Sequence, residues 1–219
     1  INNPLFVISG EAEMLLKNDK TDNETKDASK AILEQTERAK QIIKNLLEFS
    51  HANRKFKQEP LDINKALEES ISFLSYQVKI DKIKIVKELT TNLPKPLGDK
   101  SQLQEVFLNI MLNAVQAMEN YRELTIRTYT ENITENGRRK TDKFRPGDRI
   151  VVIEFRDTGK GMDDETLKKV FNPFFSTKEK GTGLGLSVSY GIIENHGGLI
   201  EAYSKLGEGS AFVIKLPVS

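Results

Sequence analysis

Residues 181–198 read GTGLGLSVSYGIIENHGG, and the reading of that stretch decides the fold. A glycine-rich turn opens a helix that ends at the pair Gly197 and Gly198. Backbone N–H groups at a helix start point outward, and Gly183 and Gly185 remove side chains that would block phosphate oxygens. Lys178 and Lys180 stand just before the turn, placed to meet negative charge. No Lys-Ser or Lys-Thr pair follows the last glycine and the spacing is not G-x-G-x-x-G, so neither a Walker loop nor a dinucleotide fingerprint fits. A plain flexible loop is the alternative for this segment taken alone.

Upstream, residues 150–157, IVVIEFRD, form an apolar strand ending in the acid of DTGKGM, residues 157–162. An Asp at a strand end accepts a hydrogen bond from an exocyclic amine, while Gly159 and Gly161 let the main chain turn and approach a flat ring. A glycine turn with a helper Asp fits the same residues. Asn109 and Asn113 lie four apart, so both carboxamides project from one side of a helix, a set suited to a hard cation such as Mg²⁺ held jointly with phosphates. Taken alone, two surface asparagines on a helix are the commoner reading. Residues 170–181, VFNPFFSTKEKG, set Phe171, Phe174 and Phe175 around a proline, as core aromatics, as the hinge of a mobile lid, or as both.

Ahead of these, Ile1, Leu5, Ile8, Ala12 and Leu15 are spaced as the seam of an amphipathic helix. After KNDKTDNE, Thr21 and Glu24 have capping-box spacing. A second stripe then follows through Ala28, Ile32, Gln35, Ala39, Ile42, Leu46 and Phe49, in a helix over about 22–52. The pair forms an antiparallel hairpin. At about 1.5 Å per residue the second helix runs about 45 Å and the first about 27 Å, so a second subunit or about three further turns of helix one should cover the far end; the local alternative is a helix one capped by Asn2 or Asn3 with Pro4 in its first turn. Leu67, Ile71, Leu74 and Val78 mark another helix, IKIVKEL a strand, and Leu103, Phe107, Ile110, Ala114 and Met118 a fourth helix. LTIRTYT and IVVIEFRD read as neighbouring strands, and GLIEAYS with SAFVIKLP as a closing hairpin. The expected fold is α+β: an N-terminal helical hairpin over 1–54, then a layer sandwich of helices and antiparallel strands over 55–219.

Composition excludes several classes. With 33 basic and 32 acidic residues in 219, no global field draws the chain to nucleic acid or anionic lipid. Zero Cys removes disulfides and thiolate chemistry, and His51 and His196 are too few for an ordinary zinc site. No apolar run approaches the roughly 20 residues of a membrane span. The basic segment 131–148, ENITENGRRKTDKFRPGD, carries acids and no aromatic platform and is read as a solvated hairpin extension.

The order N-x-x-x-N, D-x-G-x-G, N-P-F-F, G-T-G-L-G-L resembles the catalytic ATP-binding domain of bacterial sensor histidine kinases, as their N, G1, F and G2 boxes. The closing GGLIEAYSKLGEGSAFVIKLP is similar to that domain's terminal hairpin, and the leading helices are similar to the family's dimerisation and phosphoacceptor domain. INNPL matches the tail of the family's His-Glu-x-x-Asn-Pro, which puts the acceptor His and its Glu immediately before Ile1 and makes helix one a truncated one.

The resemblance implies a gyrase/histidine-kinase type of ATPase sandwich that binds Mg²⁺-ATP. Asp157, with Ser210, would read the adenine amine, and Gly159 and Gly161 would give the ring room. Asn113 with Asn109 would hold Mg²⁺. Gly181, Thr182, Gly183, Leu184, Gly185 and Lys178 would meet the transferring γ-phosphoryl group. Asn3 would position water for the reverse, phosphatase reaction. Implied partners are a second copy, pairing into a four-helix bundle, and a response-regulator receiver whose Asp takes the phosphoryl group. No nucleic acid or membrane contact is expected in this segment, and the compartment is cytoplasmic, any membrane anchor lying outside the segment. The rivals are an ATP-hydrolysing switch of the gyrase/MutL type, in which a Glu stands at the position of Asn109, and a nucleotide-binding scaffold without kinase activity.

Overall fold

The computed structural model describes residues 2–18, 21–50, 57–77, 83–118, 122–134, 143–178 and 181–218. Ile1, His51, Val78 and Lys180 lie outside them, as do the side chains of Asn3, Ile42, Leu46 and Phe49. Helix α1 spans Asn2–Lys17 and α2 Asn23–Ser50. Asp22, rather than Thr21, starts α2, because its carboxylate accepts from the Thr25 N–H at 2.9 Å and from the Thr25 hydroxyl at 2.8 Å.

The face by which α1 and α2 meet differs from the expected one. Ser9, Ala12, Ser29 and Thr36 are buried, and the three hydroxyls donate to carbonyls one turn back on their own helices. Small side chains with self-satisfied hydroxyls let the helices approach closely. Ala12 of the expected seam is buried in this contact, but other members of the apolar stripes face outward: Ile8, Leu15 and Ile32 are 45%, 42% and 44% exposed, beside exposed Phe6, Val7 and Met14.

Beyond the hairpin come β1 (Glu59–Pro60), α3 (Ile63–Gln77), β2 (Ile83–Leu89), β3 (Leu97–Gly98), α4 (Lys100–Ala117), β4 (Arg122–Asn132) and β5 (Arg149–Asp157). Then follow α5 (Asp164–Lys169), α6 (Gly185–Asn195), β6 (Leu199–Lys205) and β7 (Gly209–Pro217). Five strands form one sheet in the order β2-β4-β5-β7-β6, and β1 pairs with β3 in a separate two-stranded sheet. β4, β5, β7 and β6 pair antiparallel as expected, whereas β2 pairs parallel to β4. A parallel pair needs a crossover, and α4 supplies it.

Side chains alternate along a strand, so Val151, Ile153 and Phe155 of β5 turn to the helix layer. They meet Leu67 and Leu74 of α3, Leu103, Phe107, Ile110 and Met111 of α4, and Ile193 of α6 in one buried cluster. Phe107 and Phe155 stack at 5.8 Å between ring centroids. Burying each such side chain contributes about 1.5–3 kcal/mol. The alternation carries on to Asp157, which therefore projects from the same face of the sheet as this core.

The segment read as solvated is not wholly so. Ile133 and Phe144 are buried with Ile150 and Val152, covering one end of the sheet's other face, while 135–142 lie outside the described residues.

His196, at the end of α6, ties that helix to the start of α4. Its Nε2 accepts from the Asp99 N–H at 3.0 Å, which fixes the proton on Nδ1, and Nδ1 donates to the Ile192 carbonyl at 2.8 Å. Gly98 admits the ring, since a Cβ there would stand 2.9 Å from His196 Cδ2. Burial holds the imidazole pKa below 6.5, offset in part by the Ile192 carbonyl and the Asp99 carboxylate. The unfolded chain thus takes the proton first as pH falls. The stability contributed by the neutral ring is present above 6.5 and is lost on descent toward the lower folded value. His196→Gln should cost about 1–3 kcal/mol at neutral pH. In urea titrations the gap between wild type and variant should narrow as pH falls toward about 5; a constant gap would refute the assignment.

Candidate functional site

A cavity of about 1220 Å³ opens between α4, α6 and the end of β5, and Asp157 lies within it. Met162, Val170, Leu186 and Phe212 give it apolar walls. Asp157 is only 3% exposed, and its Oδ1 accepts from the Gly159 N–H at 2.8 Å and the Ser210 N–H at 3.3 Å. Both bonds fall on one oxygen, which leaves Oδ2 as the acceptor for a donor entering the cavity. Burial raises the carboxyl pKa, and the two N–H groups partly oppose that rise.

The register pairs Asp157 with Ser210 across β5 and β7, so it is the main chain of Ser210 that reaches the acid. Its hydroxyl instead meets the Ser204 hydroxyl at 3.0 Å. Ser204, which sequence reasoning passed over, also accepts from the Met162 N–H at 2.8 Å and donates to the Gly209 carbonyl at 2.8 Å.

Gly159 and Gly161 have a packing role of their own, and Gly161 also lines the cavity. A Cβ on Gly161, where φ is +66°, would sit 2.0 Å from the Lys205 carbonyl, and one on Gly159 would sit 2.7 Å from that of Ala117. Both glycines are needed because backbone from another element crosses there.

Asn109 and Asn113 share a face of α4 but have different partners. Asn109 Nδ2 points to the Gly185 carbonyl and the Ser189 hydroxyl, both at 3.4 Å, so its amide leans on the start of α6. Asn113 Oδ1 accepts from the Lys178 ammonium at 2.8 Å, and Gln116 Oε1 accepts from the same group at 2.5 Å. Gln116 was missed, although 109, 113 and 116 are spaced four and three apart and so lie on one helical face. Burial lowers the Lys178 pKa, and the nearby Lys160 lowers it further. A cation already rests on amide oxygens at this point, so the donor set fits a hard cation such as Mg²⁺.

The start of α6 completes the site. α4 is capped by the Asp99 side chain and α5 by that of Asp163, but Leu184 at the head of α6 offers no side-chain cap. Thr182 Oγ1 accepts only a long 3.4 Å bond, from the Leu184 N–H. The first N–H groups of α6 therefore face the cavity with anion-binding capacity. Gly181, Gly183 and Gly185 line that mouth. Of the three phenylalanines, Phe171 packs on Tyr190 and Phe212, Phe175 lines the cavity, and Phe174 is 64% exposed with φ +64°. The core reading thus holds for Phe171.

Residues 98–219 match the histidine kinase-, DNA gyrase B-, and HSP90-like ATPase family, and residues 1–55 match the His Kinase A (phospho-acceptor) domain. The chain is 31% identical over 219 residues to sensor histidine kinase ZraS of Klebsiella oxytoca, covering 100% of this chain and 44% of that protein. It thus spans less than half of that relative. In fold it is similar to ShkA, solved full-length in complex with AMPPNP, with TM-score 0.71 and 24% identity over 99% of this chain and 43% of that one. It is also similar to histidine kinase ThkA, solved in complex with response regulator protein TrrA, with TM-score 0.69 and 22% identity over 100% of this chain and 58% of that one. With its motif order, its sheet and its family matches in agreement, the chain belongs to the histidine kinase-, DNA gyrase B-, and HSP90-like ATPase family, preceded by a His Kinase A phospho-acceptor domain.

Proposed function

We propose that this chain is the kinase core of a two-component sensor, dividing near residue 54 into a dimerising hairpin and a catalytic domain that binds Mg²⁺-ATP. One observation carries the reading: a buried acid, a seated cation and an uncapped helix start line a single cavity, as a purine, a metal and a triphosphate require. Asp157 Oδ2 accepts from the adenine amine, with Oδ1 held by Gly159 and Ser210. Asn113, with Asn109 one turn before it on α4, would hold the metal against the phosphates. Mg²⁺, when bound, neutralises charge on the phosphate oxygens. The main chain from Gly181 through Thr182, Gly183 and Leu184 to Gly185, with the Lys178 ammonium, stabilises charge on the transferring phosphoryl group. The acceptor is a histidine joined ahead of Ile1, and a receiver-domain Asp takes the group from it. Asn3, four residues after that histidine, orients water in the reverse reaction.

The outward apolar face of α1 and α2 supports pairing of two chains into a four-helix bundle, since Phe6 is 75% exposed beside Val7, Ile8 and Met14. Among the described residues no helix is long and apolar enough to cross a membrane. We place this part of the protein in the cytoplasm. A hydrolytic switch of the gyrase/MutL type is disfavoured, because the position that needs a carboxylate base is Asn109, whose amide is given to α6.

The test is chemical. With Mg²⁺-ATP, this chain should bind nucleotide without stable labelling. Joining a His-Glu pair on two or three further helical turns ahead of Ile1 should give an acid-labile, base-stable phosphoprotein. Acid-stable label on that protein would overturn the assignment.

A further inference from the structure

Asp157, Ser210 and Ser204 stand in one cross-strand row. The register pairs Asp157 with Ser210 across β5 and β7, and Ser210 with Ser204 across β7 and β6. Residues paired in this way share a face of the sheet, and Asp157 and Ser210 both line the cavity. A hydroxyl carries one proton and two lone pairs, and at Ser204 all three are committed. Its proton goes to the Gly209 carbonyl at 2.8 Å, because a carbonyl cannot donate, and one lone pair takes the Met162 N–H at 2.8 Å. The remaining contact, with the Ser210 hydroxyl at 3.0 Å, therefore runs one way: Ser210 donates and Ser204 accepts. Main chain holds that direction in place. The turn that carries Met162 is also tied to the β6–β7 turn, where the Gly207 N–H donates to the Lys160 carbonyl at 2.7 Å.

We propose that Ser204 is a positioning residue for base selection: by taking the Ser210 proton it makes the Ser210 hydroxyl an acceptor toward the cavity. An unconstrained serine is indifferent, since its hydroxyl rotates to donate to a carbonyl or to accept from an amine. Held by Ser204, it can only accept. Beside it, Asp157 Oδ2 is an acceptor too, because Oδ1 holds the Gly159 and Ser210 N–H groups. Two neighbouring acceptors suit an exocyclic amine, which has two N–H groups to give, and oppose a ring carbonyl, whose lone pairs would face theirs. This rests on the reading of Asp157 as the base-reading acid. It adds a second acceptor whose polarity is set on β6, by a side chain that acts through Ser210.

The experiment is calorimetry with Mg²⁺-ATP and with Mg²⁺-ITP, in which a carbonyl replaces the amine, and the quantity read is the ratio of the two affinities. In Ser204→Ala the Ser210 hydroxyl regains its rotation and can donate to the ITP carbonyl. The preference for ATP should then fall about threefold to tenfold, the contribution of one hydrogen bond. Ser204→Thr keeps the hydroxyl and should keep the ratio. In Ser210→Ala nothing is left for Ser204 to orient, so adding Ser204→Ala should leave the ratio where Ser210→Ala alone puts it. Partial unfolding lowers the amount of competent protein for both ligands equally, so the ratio is proof against it. A Ser204 that only holds the Met162 turn would weaken both nucleotides alike; an unmoved ratio in Ser204→Ala, or an equal fall in the Ser210→Ala background, would overturn the role of Ser204 alone. Binding of neither nucleotide by the wild-type chain would overturn the nucleotide reading itself, and equal binding of both would overturn base reading by Asp157 and Ser210 together.

Discussion

Replacing Asp157 by Asn should weaken ATP binding about tenfold to a hundredfold while leaving the fold intact or more stable. The substituted amide keeps an oxygen for the Gly159 and Ser210 N–H groups, which now hold the carboxylate at 2.8 and 3.3 Å. Its NH₂ must then face the cavity, where it meets the amine of adenine donor to donor. A purine with a carbonyl at that ring position accepts from the NH₂ instead, so inosine and guanosine triphosphates should gain as ATP loses. The stability effect has the opposite sign for an electrostatic reason. Burial raises the Asp157 pKa, so the carboxyl favours the fold while protonated, and that contribution is lost as pH rises through the folded value. At neutral pH the buried charge is a net cost, and the neutral amide removes it. Denaturant unfolding should show the variant's gain at pH 7 and not at low pH, where the wild-type acid is neutral too. Equal affinity for adenine and hypoxanthine nucleotides in both proteins would remove Asp157 from the base-reading role.

What the sequence disclosed and what it withheld divide along locality. Asp157 was legible because an acid at the end of an alternating strand inherits the parity of Val151, Ile153 and Phe155, and parity is a local property. The stripe of α4 was legible for the same reason, and Leu103, Phe107, Ile110, Ala114 and Met118 are all buried. The partners of these residues were not legible. Gly161 is a glycine because of the carbonyl of Lys205, and Asn109 leans on Gly185, contacts that span 44 and 76 positions of chain. The parallel pairing of β2 left no trace, since the alternation within a strand is the same for either direction. α5 escaped notice because its six residues are too few to establish a helical period. The hairpin seam misled because hydrophobicity marks the face that wants burial and does not say by what. Ser29 and Thr36 took the contact with α1, and Ile32 was left outside.

Gly183→Ala should cost at least tenfold in nucleotide affinity with only a modest loss of global stability, about 1–3 kcal/mol. The added methyl would stand 2.4 Å from the carbonyl carbon and 2.7 Å from the carbonyl oxygen of Phe174, and 2.7 Å from the Phe175 nitrogen. These are main-chain atoms, so no side-chain rotation relieves the clash. Ala would also have to hold φ at +67°, a left-handed value that costs an L-residue about 1–2 kcal/mol. The strain cannot spread into the lid at low cost, because Phe174 itself already sits at φ +64°. Two left-handed residues packed back to back thus set where the lid leaves the core and where the N–H groups of α6 point. Displacing either one moves the α6 start, the proposed phosphate cradle, relative to Asp157, which is fixed in the sheet. Phe174→Gly should therefore restore much of the affinity lost in Gly183→Ala, since glycine holds or leaves the left-handed region freely and the exposed ring sacrifices little burial. Calorimetry on the single and double variants decides the matter. Rescue by Phe174→Gly but not by Phe174→Ala would show that backbone freedom, not the loss of the ring, reopens the cradle, whereas full affinity in Gly183→Ala alone would mean that the cradle is not built on this contact.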